Sequence, residues 1–229
     1  MTTTLRTIHR EVKETLDYLA LAEIALYINE VSITGKRVSW HSYNPALEFV
    51  GSRDYATVKE YLDWVANASY SALLYDASLI QVTYDVEDDK VIGHRLAYIP
   101  CPYIIDRSLL EEGWPIADIV EMYESDGTEV ALRSHVRFDY DPAAASTYHP
   151  AAHLTINSPS CRIGCVAPMH VHRFLDFIFR HFYHPLWLAH QDFFGPAAWR
   201  HLGDQVAYDG ERTTPHILWD IRAQSSSLS

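Results

Sequence analysis

The chain has 229 residues and 48% hydrophobic content, enough for one domain with a sizeable core and too apolar for a disordered or fibrous protein. Thirty acidic residues against 18 basic ones give a net charge of −12, which excludes a protein that coats duplex DNA, because such binding rests on Lys and Arg neutralising phosphates. Three cysteines with no C-x-x-C pair (Cys101, Cys161, Cys165), no signal-peptide core and no apolar run near the ~18 residues of a membrane span argue against a disulfide framework and a membrane protein, so a soluble cytoplasmic protein is the expectation.

Residues 2–31 read as one long helix. Leu5, Ile8, Val12, Leu16, Leu19 and Ala20 recur at helical spacing, and a Thr of the opening run caps the first turn. A short strand or hairpin follows at about Val31–Trp40, with Gly35 in its turn. After the turn residues Gly51 and Ser52, Asp54–Ala66 is a second helix. Ser78–Val86 and Val91–Ile99 are strands joined by the acidic turn Glu87-Asp88-Asp89, and Pro100 and Pro102 end the pair. Trp114-Pro115 opens a short helix through about Tyr123, with proline in its favoured first turn.

Asp126-Gly127 turns the chain into three successive strands, at about 129–141, 152–157 and 161–166. Pro168 leads into an aromatic helix, His170–Tyr183, whose apolar stripe is Val171, Phe174, Ile178 and Phe182. From His184 onward, three prolines and no sustained periodicity predict short helices, then a disordered Ser-rich tail at 223–229. The order of elements predicts one α+β domain over 1–222. Its core at about 60–185 is a central, mainly antiparallel meander with helices packed on one face, to which the N-terminal helix and a C-terminal helical extension are added.

The stretch Leu132–Asp141 alternates. Leu132, Ser134, Val136, Phe138 and Tyr140 point one way in an extended strand, and Arg133, His135, Arg137, Asp139 and Asp141 point the other. The run His153-Leu154-Thr155-Ile156-Asn157 alternates too, so antiparallel pairing places His153, Thr155 and Asn157 beside the charged row. An antiparallel sheet usually shows one polar face to water, which is the plain explanation. Against it, an ordinary solvent face favours Thr, Lys, Glu and Ser, whereas this row holds two Arg, one His and two Asp. Arginine offers a planar fork for phosphate or carboxylate. Arg133, Arg137 and Arg162 form a candidate basic groove.

If the row faces a groove, Asp139 or His135 serves as general base, His149 or His153 as acid, and Arg133 or Arg137 stabilises an anionic transition state. That set suits metal-independent RNA cleavage. A divalent metal is the competing use of the same residues. His149 and His153 lie four apart, with Asp139 as third ligand, but Pro150 follows His149 and the Glu of H-E-x-x-H is missing. Asp139 and Asp141 with a glutamate would suit Mg²⁺. No metal is therefore favoured, and no cofactor either, since no G-x-G-x-x-G, Walker loop, G-x-S-x-G or kinase signature occurs.

His94 shares a face with Ile92, Leu96 and Tyr98 and reads as a core histidine. Arg95 lies in an apolar row, where a charge needs a partner: Asp76 or Asp85 in an ion pair, or a bound ligand. His170, His172, His181 and His184 read as capping or surface groups.

The runs Ser78-Leu79-Ile80-Gln81 and His94-Arg95-Leu96-Ala97-Tyr98, then Pro100-Cys101-Pro102, resemble the core of a bacterial domain family of unknown function. The likeness continues through Arg137-Phe138-Asp139, His149-Pro150, His153-Leu154 and a closing helix from Phe174 to Tyr183, covering about residues 60–185, with Ala77 where a Gly is expected. The later half is also similar to small toxins of bacterial toxin–antitoxin pairs. These resemblances imply a bacterial, cytosolic effector encoded among toxin or anti-phage defence genes, with a protein partner such as an antitoxin or defence-complex subunit. The expected activity is RNA cleavage through Arg137, Asp139, His149 and His153, supported by Arg133 and His135, with Arg95 and Asp141 as ligand contacts. The alternatives are a non-catalytic module that binds a protein or a small anion, and a metal-dependent hydrolase.

Overall fold

Helix α1 (Leu5–Leu21) begins where Thr4 caps it, its hydroxyl oxygen accepting from the Thr7 N–H at 3.1 Å. Ile8, Val12, Leu16 and Leu19 form its buried stripe. The helix stops well short of Val31, because Glu23 turns the chain at φ 54° into strand β1 (Ala25–Ile28). The computed structural model describes residues 4–41, 57–146, 148–196, 202 and 216–217. Gly51, Ser52, the start of the helix expected at Asp54 and the tail at 223–229 lie outside these.

Of the strand or hairpin expected next, the structure has a hairpin, β2 (Val31–Thr34) and β3 (Arg37–Trp40), with Gly35 at φ 61°. Helix α2 (Val58–Ala66) opens on a capping box between Thr57 and Glu60. Strand β4 (Ala72–Leu74), which the sequence did not announce, turns back into β5 (Leu79–Glu87). Ala77 occupies the left-handed position of that turn at φ 63°, the place where the family likeness expects Gly. Between β5 and β6 (Lys90–Ile99), Asp88 and Asp89 both take positive φ, 48° and 57°, so the acidic turn is a two-residue loop whose twist matches the strands.

Helices α3 (Arg107–Glu111) and α4 (Ile116–Ser125) follow, Pro115 standing just ahead of α4. Strand β7 is Val136–Tyr140 only. The preceding residues are irregular and strapped to the loop after β6: the Ala131 N–H donates to Pro102 O at 2.8 Å, and the Arg133 guanidinium to Cys101 O and Tyr103 O at 2.7 and 2.8 Å. Strands β8 (Ala152–Ile156) and β9 (Arg162–Cys165) and helices α5 (Val171–Phe182), α6 (His184–Ala189) and α7 (Gln191–Phe194) come next, then a two-residue strand β10 (His216–Ile217). Along α5, Val171, Phe174, Leu175, Ile178 and Phe179 are buried, while Phe182, expected in the stripe, is half-exposed. No described helix is long and apolar enough to cross a membrane.

The sheet runs β1-β4-β5-β6-β7-β8-β9-β10, with the β2–β3 hairpin joined to the far end of β5. It is antiparallel except for β10, which lies parallel to β9, and β5 through β9 form the expected meander. The fold is the α+β class that the element order predicts. Register then sorts the side chains. One face carries rows such as Val82–Leu96–Phe138–Leu154, which pack under α1 and α5. The other face is split. At one end, Leu79, Ala97 and Ile99 are covered by Tyr61 and Trp64 of α2 and by Ile116 and Val120 of α4. At the other end the polar rows lie open.

Candidate functional site

Pairing register places Thr83, Arg95, Asp139 and His153 side by side across four strands, and Ala97, Arg137, Thr155 and Arg162 in the next row. Adjacent residues of a row lie about 5 Å apart on one face, so the chain collects charges from distant segments without any helix or loop to carry them. These rows floor a cleft of about 400 Å³, into which Arg37, Arg95, Arg137 and Arg162, with His149 and His153, project. Asp85, Asp139 and Asp141 also line it.

Asp139 is the centre of the floor. Its Oδ2 lies 2.7 Å from Arg137 Nε, two residues along the same strand, and 3.4 Å from His153 Nε2 on β8. Its Oδ1 faces Arg95 Nε at 3.8 Å. Burial alone would raise the Asp139 carboxyl, but the His153 ring beside it and the Arg137 guanidinium outweigh burial and hold it at about 2. His153 is buried, and its Nδ1–H donates to Pro150 O at 2.9 Å. Both ring nitrogens therefore face protein acceptors.

His149 sits on the β7–β8 connection. A tight turn in which the Ser146 N–H donates to His149 O at 2.9 Å holds it, and its ring meets that of His153 edge-on with centroids 4.8 Å apart. It is only partly buried. Desolvation, then the Arg162 guanidinium and the neighbouring His153 ring, lower its proton affinity, so the ring is neutral further into the acid range than an ordinary histidine. Asp141 caps the short turn that follows β7, accepting from the Ala144 N–H at 3.2 Å, and stands at the rim. Arg37 is anchored by a two-pronged pair to Asp85 at 2.7 and 2.7 Å.

The structure thus brings together Arg137, Asp139, His149, His153, Arg95 and Asp141, and leaves two expected members elsewhere. Arg133 does not reach the cleft, because its guanidinium is spent on the two backbone carbonyls described above and on Asp76, 3.8 Å away. His135 precedes β7, is buried and does not line the cleft; burial first, then Arg137, lower its proton affinity. The alternation expected over Leu132–Asp141 fails at its first half for the same reason: the strap to residues 101–103 replaces strand pairing, and Leu132 is fully exposed. Arg95 does pair with a carboxylate, but with Asp139 on the next strand and not with Asp76 or Asp85. Arg37 was missed; it enters through the β3–β5 pairing, which no local pattern announces.

Among the described residues, no group of three His, Cys, Asp or Glu side chains is placed to hold a metal ion. His149 and His153 lie on a turn and a strand, not on one helical face. His94 is the core histidine that its row suggests. Its Nε2 accepts from the Met169 N–H at 2.8 Å, fixing the chain as it enters α5, and burial lowers its proton affinity to about 4. The unfolded chain binds the proton more readily, so stability falls as pH drops from about 6.5 to 4, by about 3 kcal/mol over that window. Replacement of His94 by Gln, which keeps an acceptor for Met169, is expected to flatten the slope; denaturant midpoints measured from pH 7 to 4 check this.

His170 caps α5 by accepting from the His172 N–H, and its Nε2–H reaches Glu11 of α1 at 3.2 Å. It is the capping group its position suggests.

No curated protein and no solved structure matches the chain. One family model covers residues 24–219, beyond both ends of the stretch that the sequence motifs span, and the chain therefore belongs to the family described as uncharacterized conserved protein (DUF2290).

Proposed function

We propose that the cleft takes the sugar–phosphate backbone of single-stranded RNA and cleaves it, with His149 as general base. His149 removes the proton of a ribose 2′-hydroxyl, the 2′-oxygen attacks phosphorus, and the P–O5′ bond breaks. The departing 5′-oxygen takes a proton from water, leaving a 2′,3′-cyclic phosphate. Arg95 and Arg162 meet the non-bridging oxygens, where a planar guanidinium is most effective. Arg137, Asp139 and His153 are positioning residues: the buried carboxylate draws Arg95 over the floor, and His153 is closed off on both nitrogens. One observation carries the reading. An acidic protein gathers four arginines in one cleft, around a histidine kept neutral at ordinary pH.

The wider role that fits is a bacterial toxin-like or anti-phage effector in the cytoplasm, restrained by a protein partner such as an antitoxin or defence-complex subunit. That part rests on the sequence resemblances. Growth of a host expressing the wild type beside His149→Ala and Asp139→Asn, with total RNA and DNA on gels, tests it. Toxicity with RNA breakdown, lost in His149→Ala, is expected. Toxicity with intact RNA would defeat the nuclease reading.

The pH profile supplies a second check. Because Arg162 helps to keep His149 neutral, removing that charge by Arg162→Ala lets the ring hold its proton to higher pH. The acid limb of the rate profile is expected to move toward neutral, separately from any loss of height.

A non-catalytic anion-binding module is the second reading. The tightest ion pairs of the cleft are internal, Arg37 with Asp85 and Arg137 with Asp139, each at 2.7 Å, while Arg95 stands 3.8 Å from Asp139, and His153 is buried. On that reading Arg95→Ala and Arg162→Ala abolish complex formation, and no substrate is turned over.

A further inference from the structure

Beside the arginine cleft lies a second one of about 470 Å³, on the β2–β3 side, and the two share Arg37, Asp85 and Ile92. The Arg37–Asp85 pair is the partition between them. Gly93, directly across from Asp85 in register, leaves the partition uncovered on the arginine side: a Cβ there would stand 3.7 Å from Asp85 Oδ2.

The walls of the two clefts differ in character. The first is floored by charges. The second exposes mostly apolar surface, Ile92 and the edge of the buried Trp40 included, with hydroxyls at Ser32, Thr34 and Ser39 and with Lys36, His41 and the Arg37–Asp85 pair also lining it. Ser39 is buried, and its Oγ has no hydrogen-bond partner among the described residues. A buried hydroxyl without a partner is costly, and a ligand edge that bonds it recovers the loss.

We propose that the second cleft is a nucleobase subsite, which makes the ligand a nucleoside phosphate unit: phosphate among the arginines, base against Ile92 with its edge toward Ser39. An alkyl chain would satisfy the apolar wall and leave Ser39 unmet, and a bare sugar would do the reverse. A base brings a flat apolar face and a hydrogen-bonding edge together. The phosphate half of this assignment rests on the anion reading of the first cleft.

Calorimetric titration of the full chain with ribonucleoside 3′-monophosphates, ribose 5-phosphate and inorganic phosphate tests it. At least one nucleotide is expected to bind about tenfold or more tightly than ribose phosphate, the margin that one base contact supplies. Ser39→Ala is expected to shrink that margin and leave ribose phosphate binding unchanged. Ser32→Phe, which fills the second cleft from its rim, is expected to remove it, and serves where Ser39→Ala disturbs folding. Equal affinity for nucleotides and ribose phosphate would overturn the base subsite while the anion cleft stands. Binding of free nucleosides with no binding of ribose phosphate or phosphate would keep the base subsite and overturn the anion cleft. Binding of none of these would overturn both.

Discussion

Replacing Arg137 by Ala is expected to destabilise the protein by about 3 to 5 kcal/mol at pH 7, the usual range for a broken buried ion pair. Arg137 and Asp139 are both buried, and the 2.7 Å contact between them is shorter than those the carboxylate makes with Arg95 and His153. Without Arg137, an ionised carboxylate stays buried, with His153 at 3.4 Å and the more exposed Arg95 at 3.8 Å. The double variant Arg137→Ala/Asp139→Ala is expected to be more stable than Arg137→Ala alone, because no charge is then stranded. The sign with pH also follows. Asp139 is held at about 2 partly by Arg137, so its loss lets burial raise the carboxyl. Acid then neutralises it sooner, and the gap between Arg137→Ala and wild type narrows as pH falls. Urea denaturation of the three proteins at pH 7 and pH 5 checks each point. A single variant no worse than the double would show that the pair is not what secures the floor.

His149→Ala is the substitution with the largest expected effect on activity. A general base contributes on the order of 10²- to 10⁴-fold to rate, and removing one of partly exposed character leaves packing nearly intact. A loss of 10²-fold or more in RNA cleavage is expected, with little change in thermal midpoint. His153→Ala should differ in kind. His153 is buried against Pro150 and Asp139, so its loss is expected to lower stability as well as rate. Measuring midpoint and cleavage rate on the same preparations separates a residue that touches substrate from one that holds the floor.

Much of this arrangement was legible in the chain. Alternation put His153 on a common face with Arg137 and Asp139 provided the two runs paired, and the antiparallel register sets His153 directly opposite Asp139. The hairpins turning at Gly35 and at Asp88-Asp89 followed from residues that tolerate positive φ. Other features required information that a local pattern does not hold. The run from Ala20 to Ile28 satisfies helical and strand periodicities alike, and it is Glu23 in the left-handed region that ends α1. Arg133 and His135 alternate as if in a strand, yet backbone carbonyls at Cys101 and Tyr103 capture Arg133 before the sheet can. The partner of Arg95 depended on β6 having β7 as its second neighbour. Arg37 and Arg162 reach the cleft from strands on its two flanks, β3 and β9, separated by more than a hundred residues of sequence, and only strand order joins them.

The most direct test of the RNA-cleaving cleft is incubation of purified wild type and His149→Ala with 5′-labelled single-stranded RNA in the presence of a chelator, with the ends of the products mapped. Fragments ending in 2′,3′-cyclic phosphate from the wild type, and none above background from a folded His149→Ala, are the expected result. Intact RNA with the wild type, or equal cleavage by both proteins, would contradict the role assigned to His149.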